Sequence, residues 1–243
     1  QVQIVRPSML KSRDTWSGWP VLPVDAKLHS IVEKAPTRVY TKDDKPSDLI
    51  NLMFLGSRQQ LIAAFQEAGW FQAHSLSMNS AAKSVQATLR QSGYTQAPVS
   101  LLTLNGKPPD IVFQKSLDTF AKRHHIRIWK EPETYKGQDV WVGAATHDIA
   151  ISTARKATKW SHRIDPHIDR EREWIETDLL YAGTARAYAL VDRPNVPRKA
   201  ANATGDEVLT DGQISIVALG VTTPNIINPP SPVLLPRPAQ GNQ

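Results

Sequence analysis

The stretch from Leu49 to Trp70 constrains this chain most, because it specifies one β–α unit with both ends of its helix marked. Leu49-Ile-Asn-Leu-Met-Phe-Leu55 is an apolar run of strand length, and Gly56 supplies the turn after it. Ser57, with Gln60 three residues on, makes a capping box. Leu61, Ile62, Phe65 and Ala68 then recur at helical spacing. Gly69 stands where a C′ glycine belongs, and Trp70 supplies the hydrophobic contact of a Schellman ending.

A second helix is signposted at Asp165, a natural N-cap, with Pro166 at the first helical position, where a missing N–H costs nothing. Ile168, Ile175 and Leu179 line one face, flanked by Trp174 and Tyr181, and Gly183 ends it. Asp169 and Glu171 sit early, where the helix dipole favours carboxylates. Arg170, Arg172, Glu173 and Glu176 are expected on a solvated face with neighbouring ion pairs. A weaker helix covers about 81–91. Strands are expected at 98–104, 110–114, 124–129, 139–145, 185–191 and 213–219, with a turn at Asn105-Gly106 and a hairpin connection before Val140. Residues 1–48 read as mostly extended, because prolines and charges interrupt any period. The fold class is therefore α+β: a mixed or mainly antiparallel sheet covered by two or three helices. Proline-rich extended segments flank it, 1–48 packed on the domain of 49–220, and 221–243 as a tail.

Composition narrows the function classes. No apolar run approaches the roughly 18 residues of a membrane span. The absence of cysteine removes disulfides, thiolate metal sites and a cysteine nucleophile. A net charge of +6 without any Lys/Arg-rich block is no nucleic-acid footprint, so no nucleic-acid partner is expected. Gly-x-Ser-x-Gly, Walker A and Gly-x-Gly-x-x-Gly are all missing. A start at Gln1 fits removal of a signal peptide as well as a piece cut from a longer chain.

Two constellations have residues suited to chemistry. On the strand His124-His125-Ile-Arg-Ile-Trp129, alternation puts His125, Arg127 and Trp129 on one face and His124, Ile126 and Ile128 on the other. The polar face suits an anion or metal; the plainer expectation is a half-buried strand whose Arg127 pairs with a carboxylate and stacks on Trp129 or Trp141. His147-Asp148 and His162…Asp165…Asp169 offer imidazole and carboxylate ligands for zinc, manganese or iron. The candidate catalytic set is thus His125, Arg127, His147, Asp148 and His162, and the candidate metal set His125, His147, His162 and Asp169. No His-Glu-x-x-His or other compact spacing supports either, so no cofactor is expected. Ser152 and Ser161 are the nearest nucleophile candidates, with Asp148 or Asp165 to orient a histidine. The seven tryptophans are too dispersed for a stacking platform.

Several motifs, in order, resemble one family. They are Trp16-Ser-Gly-Trp-Pro-Val-Leu-Pro, Ile50-Asn-Leu with Leu55-Gly-Ser and Ala68-Gly-Trp, and Ala97-Pro-Val. Gly106-Lys-Pro-Pro-Asp-Ile-Val-Phe-Gln-Lys and Arg123-His-His-Ile-Arg-Ile-Trp follow. Trp141-Val-Gly-Ala-Ala-Thr-His-Asp and His162-Arg-Ile-Asp-Pro-His-Ile-Asp-Arg-Glu-Arg complete the series. The chain resembles LssY-like C-terminal domains from about Trp16 to Leu190. That resemblance implies a bacterial envelope setting, since such domains often follow DedA or lipid-phosphatase-type membrane regions. It implies no catalytic residues.

The expected function is a non-enzymatic accessory or binding subunit of a membrane-associated envelope assembly, extracytoplasmic and in the periplasm. The alternatives are a metal-dependent hydrolase with a His/Asp site and a periplasmic small-ligand binder. Protein partners are expected along the proline-rich segment 224–243, anchored by Val233, Leu234 and Leu235 with Arg237 at the polar rim.

Overall fold

The computed structural model describes residues 20–73, 102–119, 122–152 and 161–220, with only the backbone described at 116–119, 122, 150–152 and 161–162. In chain order the elements are α1 (Ala26–Lys34), β1 (Arg38–Thr41), β2 (Pro46–Leu49), β3 (Leu52–Leu55), α2 (Arg58–Glu67), β4 (Phe71–Ala73), β5 (Leu102–Thr103) and β6 (Ile111–Thr119). There follow β7 (Lys122–Tyr135), β8 (Gln138–Ser152), β9 (Ser161–Ile164), α3 (Ile168–Tyr181), β10 (Ala185–Asp192), β11 (Lys199–Ala201), β12 (Glu207–Leu209) and β13 (Gln213–Leu219).

An eight-stranded sheet forms the middle layer, in the order β10-β13-β3-β8-β7-β6-β4 with β9 beside β8. Only the β3–β13 pair is parallel, so the sheet is mixed and mainly antiparallel as expected. On one face α2 and α3 pack over Phe54, Phe113, Ile126, Trp141 and Val217. On the other, α1 and the three-stranded sheet β2-β1-β5 pack over Met53, Trp129, Val142 and Ile216. Strand alternation lets β3 serve both: Leu52 and Phe54 face α2 and α3, while Met53 and Leu55 face α1. A strand buried on both sides reads as a continuous apolar run, which is why Leu52–Leu55 stood out in the sequence.

The α2 signals hold in atomic detail. Ser57 Oγ accepts from Gln60 N at 3.2 Å, and Gln60 Oε1 accepts from Ser57 N at 2.8 Å. At the other end Trp70 N donates to Phe65 O at 2.8 Å and Gly69 N to Gln66 O at 2.9 Å, with Gly69 at φ +78. The Trp70 and Phe65 rings meet edge-on at 5.4 Å. The β7–β8 hairpin closes on Lys136 and Gly137, both at positive φ, and so does the Asn105-Gly106 turn.

Four expectations are corrected. Residues 26–34 are helical rather than extended: Asp25 caps α1 by accepting from Leu28 N, and Leu28, Ile31, Val32 and Ala35 bury one face. The run 49–55 breaks at Ile50-Asn51, because Asn51 turns its side chain to pair with both backbone groups of Ala145. The third helix opens at Ile168 with His167 at the cap position, and Asp165 accepts from His167 N at 2.9 Å, so that its cap-like bond forms two residues early and Pro166 precedes the helix. Pairing of 161–164 with β8, and of Asp165 N with His147 O, holds the chain extended up to that point. Finally, α3 does not carry all its charges in solvent. Arg172 is fully buried, forking onto Asp211 at 2.8 and 2.7 Å, and Glu176 accepts from Ser215 Oγ at 2.7 Å.

Candidate functional site

Everything about the site follows from the register of the long hairpin. His124 stands opposite His147, and His125 opposite Thr146. Alternation then sends His124 and His147 to the α3 face, and His125, Arg127, Thr146 and Asp148 to the α1 face. Asn51 sets the position of α3 over the hairpin, donating to Ala145 O at 3.1 Å and to Ile168 O, in the first turn of the helix, at 3.4 Å. Glu171, three residues beyond Ile168 and four before Ile175, therefore lies on the inward stripe of α3.

On the α3 face a small cluster is closed in by aromatic rings. His124 Nδ1 lies 2.7 Å from Glu171 Oε2. The imidazole of His124 is sandwiched between His147, 4.2 Å away at 11° between planes, and Trp174, 5.0 Å away at 5°. His124, His147 and Glu171 each offer a ligand atom, and the three atoms lie within 4.8 Å of one another. Glu171 is 3% exposed, and its Oε1 has no hydrogen-bond partner among the described residues; nor has Trp174 Nε1. Burial pushes the Glu171 carboxyl above its usual value, against the pull of the His124 hydrogen bond.

The α1 face of the same strands is organised differently. Arg127 Nη1 stands 3.3 Å from Asp48 Oδ2. Burial pushes Asp48 up and Arg127 down from their ordinary values, and their mutual attraction opposes both shifts. Asp148 sits between Arg123, at 3.6 Å, and His125 Nδ1, at 3.8 Å, while His125 Nε2 is 2.7 Å from Thr146 Oγ1. Burial pushes the Asp148 carboxyl up to about 6, with Arg123 and Arg127 pulling the other way.

His125, Arg127 and Asp148 are thus brought together, and His147 is not with them, since it faces the opposite side of the sheet. Asp169 belongs to a third place, accepting from Thr210 Oγ1 at 2.8 Å and Asp211 N at 2.6 Å and lying 3.2 Å from Arg172. The metal set drawn from His125, His147 and Asp169 therefore does not converge. His162 pairs through its backbone with Ile151, and Ser161 with Ser152; their side chains lie outside what is described. So do the 81–91 helix and the anchor residues Val233, Leu234, Leu235 and Arg237. Sequence reasoning missed His124 and Glu171. The signals were present: His124 alternates with apolar Ile126 and Ile128, and Glu171 interrupts the Ile168–Ile175 stripe.

The family model of the LssY C-terminus matches residues 32–214, from within α1 to the start of β13. No curated protein and no solved structure matches the chain. The matched span takes in both faces of the hairpin, with α3 and Asn51, and so the whole arrangement described above. The chain belongs to the LssY C-terminus family.

Proposed function

We propose that this domain is a non-enzymatic accessory or binding module of a bacterial cell-envelope assembly. One observation carries the reading: the histidine, arginine and aspartate side chains gathered on the α1 face are engaged with one another inside the protein. Asp48 holds Arg127, and Asp148 lies between Arg123 and His125. Buried charges paired in this way serve the fold, because each is stable there only with its partner in place. Membership of the LssY C-terminus family supports the envelope setting by resemblance. The attachment segment in this reading is 224–243, with Val233, Leu234 and Leu235 as apolar anchor and Arg237 at the rim.

The test is gentle solubilisation of native membranes, followed by sizing of the chain with and without residues 224–243. The full chain should run in a larger particle of fixed composition. The shortened one should keep its fold, by circular dichroism, and run alone. A full chain that runs alone, or one that hydrolyses phosphate or carboxylate esters when supplied with Zn2+ or Mn2+, overturns the reading.

A further inference from the structure

We propose that His124, His147 and Glu171 form a binding site for one divalent transition-metal ion of the zinc class, bracing the β7–β8 hairpin against α3. The inference goes beyond the accessory role and does not depend on it.

The donor set comes first. Two imidazoles and one carboxylate suit zinc and its neighbours, and no thiolate is available to this chain. Distance comes second. Metal–ligand bonds of about 2.0–2.2 Å place the ligand atoms of a tetrahedral site roughly 3.3–3.6 Å apart. The three atoms here already lie within 4.8 Å of one another, so closing the site takes side-chain movement on the scale of an ångström.

The carboxylate supplies the independent observation. Glu171 is buried, and its Oε2 is engaged by His124 Nδ1. Its second oxygen, Oε1, is buried with no donor among the described residues. A carboxylate oxygen left this way costs on the order of 1–3 kcal/mol or more, so the fold tolerates it only for a reason. A cation bound at Oε1 or across both oxygens removes that deficit.

The rings define what must move. An ion lies near the plane of each imidazole that binds it, and His124 and His147 are stacked at 11°. One of them must turn about its Cβ–Cγ bond. His124 is clamped between two rings and hydrogen-bonded to Glu171, whereas His147 is half-buried at the edge of the cluster. The half-buried His147 has more room to turn than the buried His124, and the turn is assigned to it. A three-residue set leaves a fourth position for water.

The test uses the full chain without a histidine tag, stripped with chelator and titrated with CoCl2 and then ZnCl2. One equivalent of Co2+ should develop visible d–d absorption that Zn2+ abolishes, and Zn2+ should raise Tm. His147→Ala and Glu171→Gln should each weaken binding by more than about tenfold, the scale of losing even an outer-shell partner. His29→Ala, at the exposed His29–Glu33 pair, should leave it unchanged. X-ray absorption of the zinc-loaded parent, which needs no variant, should count two imidazoles. Absence of a one-equivalent cobalt signal, equal binding by His147→Ala or Glu171→Gln, or a count other than two overturns the proposal. The sizing of native particles is read separately, so failure of one leaves the other standing.

Discussion

The two faces of one hairpin meet the same problem, buried titratable groups, in opposite ways. On the α1 face, Asp48 faces Arg127 and Asp148 faces Arg123, so that opposite charges answer one another, with His125 beside Asp148. On the α3 face Glu171 has an imidazole on one oxygen and, among the described residues, no donor on the other, with the His147 and Trp174 rings stacked against that imidazole. The difference teaches that burial of charge is not itself a sign of a site. Opposite charges set against each other brace the fold, whereas a buried carboxylate oxygen with no donor among the described residues is room for a cation.

The largest expected effect tests the α1 face. Asp48→Ala takes the buried carboxylate from Arg127 and should cost about 3–5 kcal/mol, measured by urea unfolding. Replacing both partners together, Asp48→Leu with Arg127→Met, should recover much of that loss, because the uncompensated charge goes with its partner. Additive losses would show that the two residues do not act as a pair, and the contrast between faces would fail on its better-defined side.

The next effect lies in pH. Asp148 holds its proton up to about pH 6 in the folded chain, against an ordinary value of 3.8. A raised carboxyl contributes stability that is fully present below the ordinary value and is lost as pH rises through the folded one. The window is therefore about pH 4 to 6, and the gap corresponds to roughly 3 kcal/mol. Asp148→Asn cannot ionise, so its unfolding midpoint should decline less than the parent's between pH 4 and 7. Identical slopes would mean that the neighbouring Arg123 and Arg127 offset the burial of Asp148 completely.

Much of this was written in local sequence, and the reasons for the gaps are physical. The α2 unit was legible at both ends because capping boxes and Schellman turns are built from neighbours in the chain. Strands β3, β6, β7, β8, β10 and β13 of the large sheet were legible from their apolar runs, whereas β4 and β9 were not. Helix α1 was missed although Leu28, Ile31, Val32 and Ala35 keep helical spacing, because Pro23 and Pro36 bracket it closely and read as extended punctuation. The site was half legible. Alternation split His124 from His125 correctly, but which of His147 and Asp148 joins which face depends on the register of β7 against β8. Register is a tertiary fact, as is the placement of Glu171 by Asn51. The buried Arg172 and Glu176 escaped for the same reason: their partners, Asp211 and Ser215, lie 39 residues downstream.

The smallest expected effect is the one that separates the faces most sharply. In metal-free protein, Glu171→Gln keeps a side-chain oxygen to accept from His124 Nδ1 and removes a charge that burial already disfavours. Its amide nitrogen would inherit the empty position of Oε1, at a cost of about 1–3 kcal/mol if left unsatisfied. Relief of the buried charge works against that cost, so the net change should stay within about 1 kcal/mol, well below the cost of Asp48→Ala. Urea unfolding in chelator, side by side for the two variants, reads the comparison directly. A loss from Glu171→Gln as large as that from Asp48→Ala would make Glu171 one half of an internal brace. A loss near zero leaves its carboxylate without a structural task in the empty protein, which is the condition a ligand-binding group should meet.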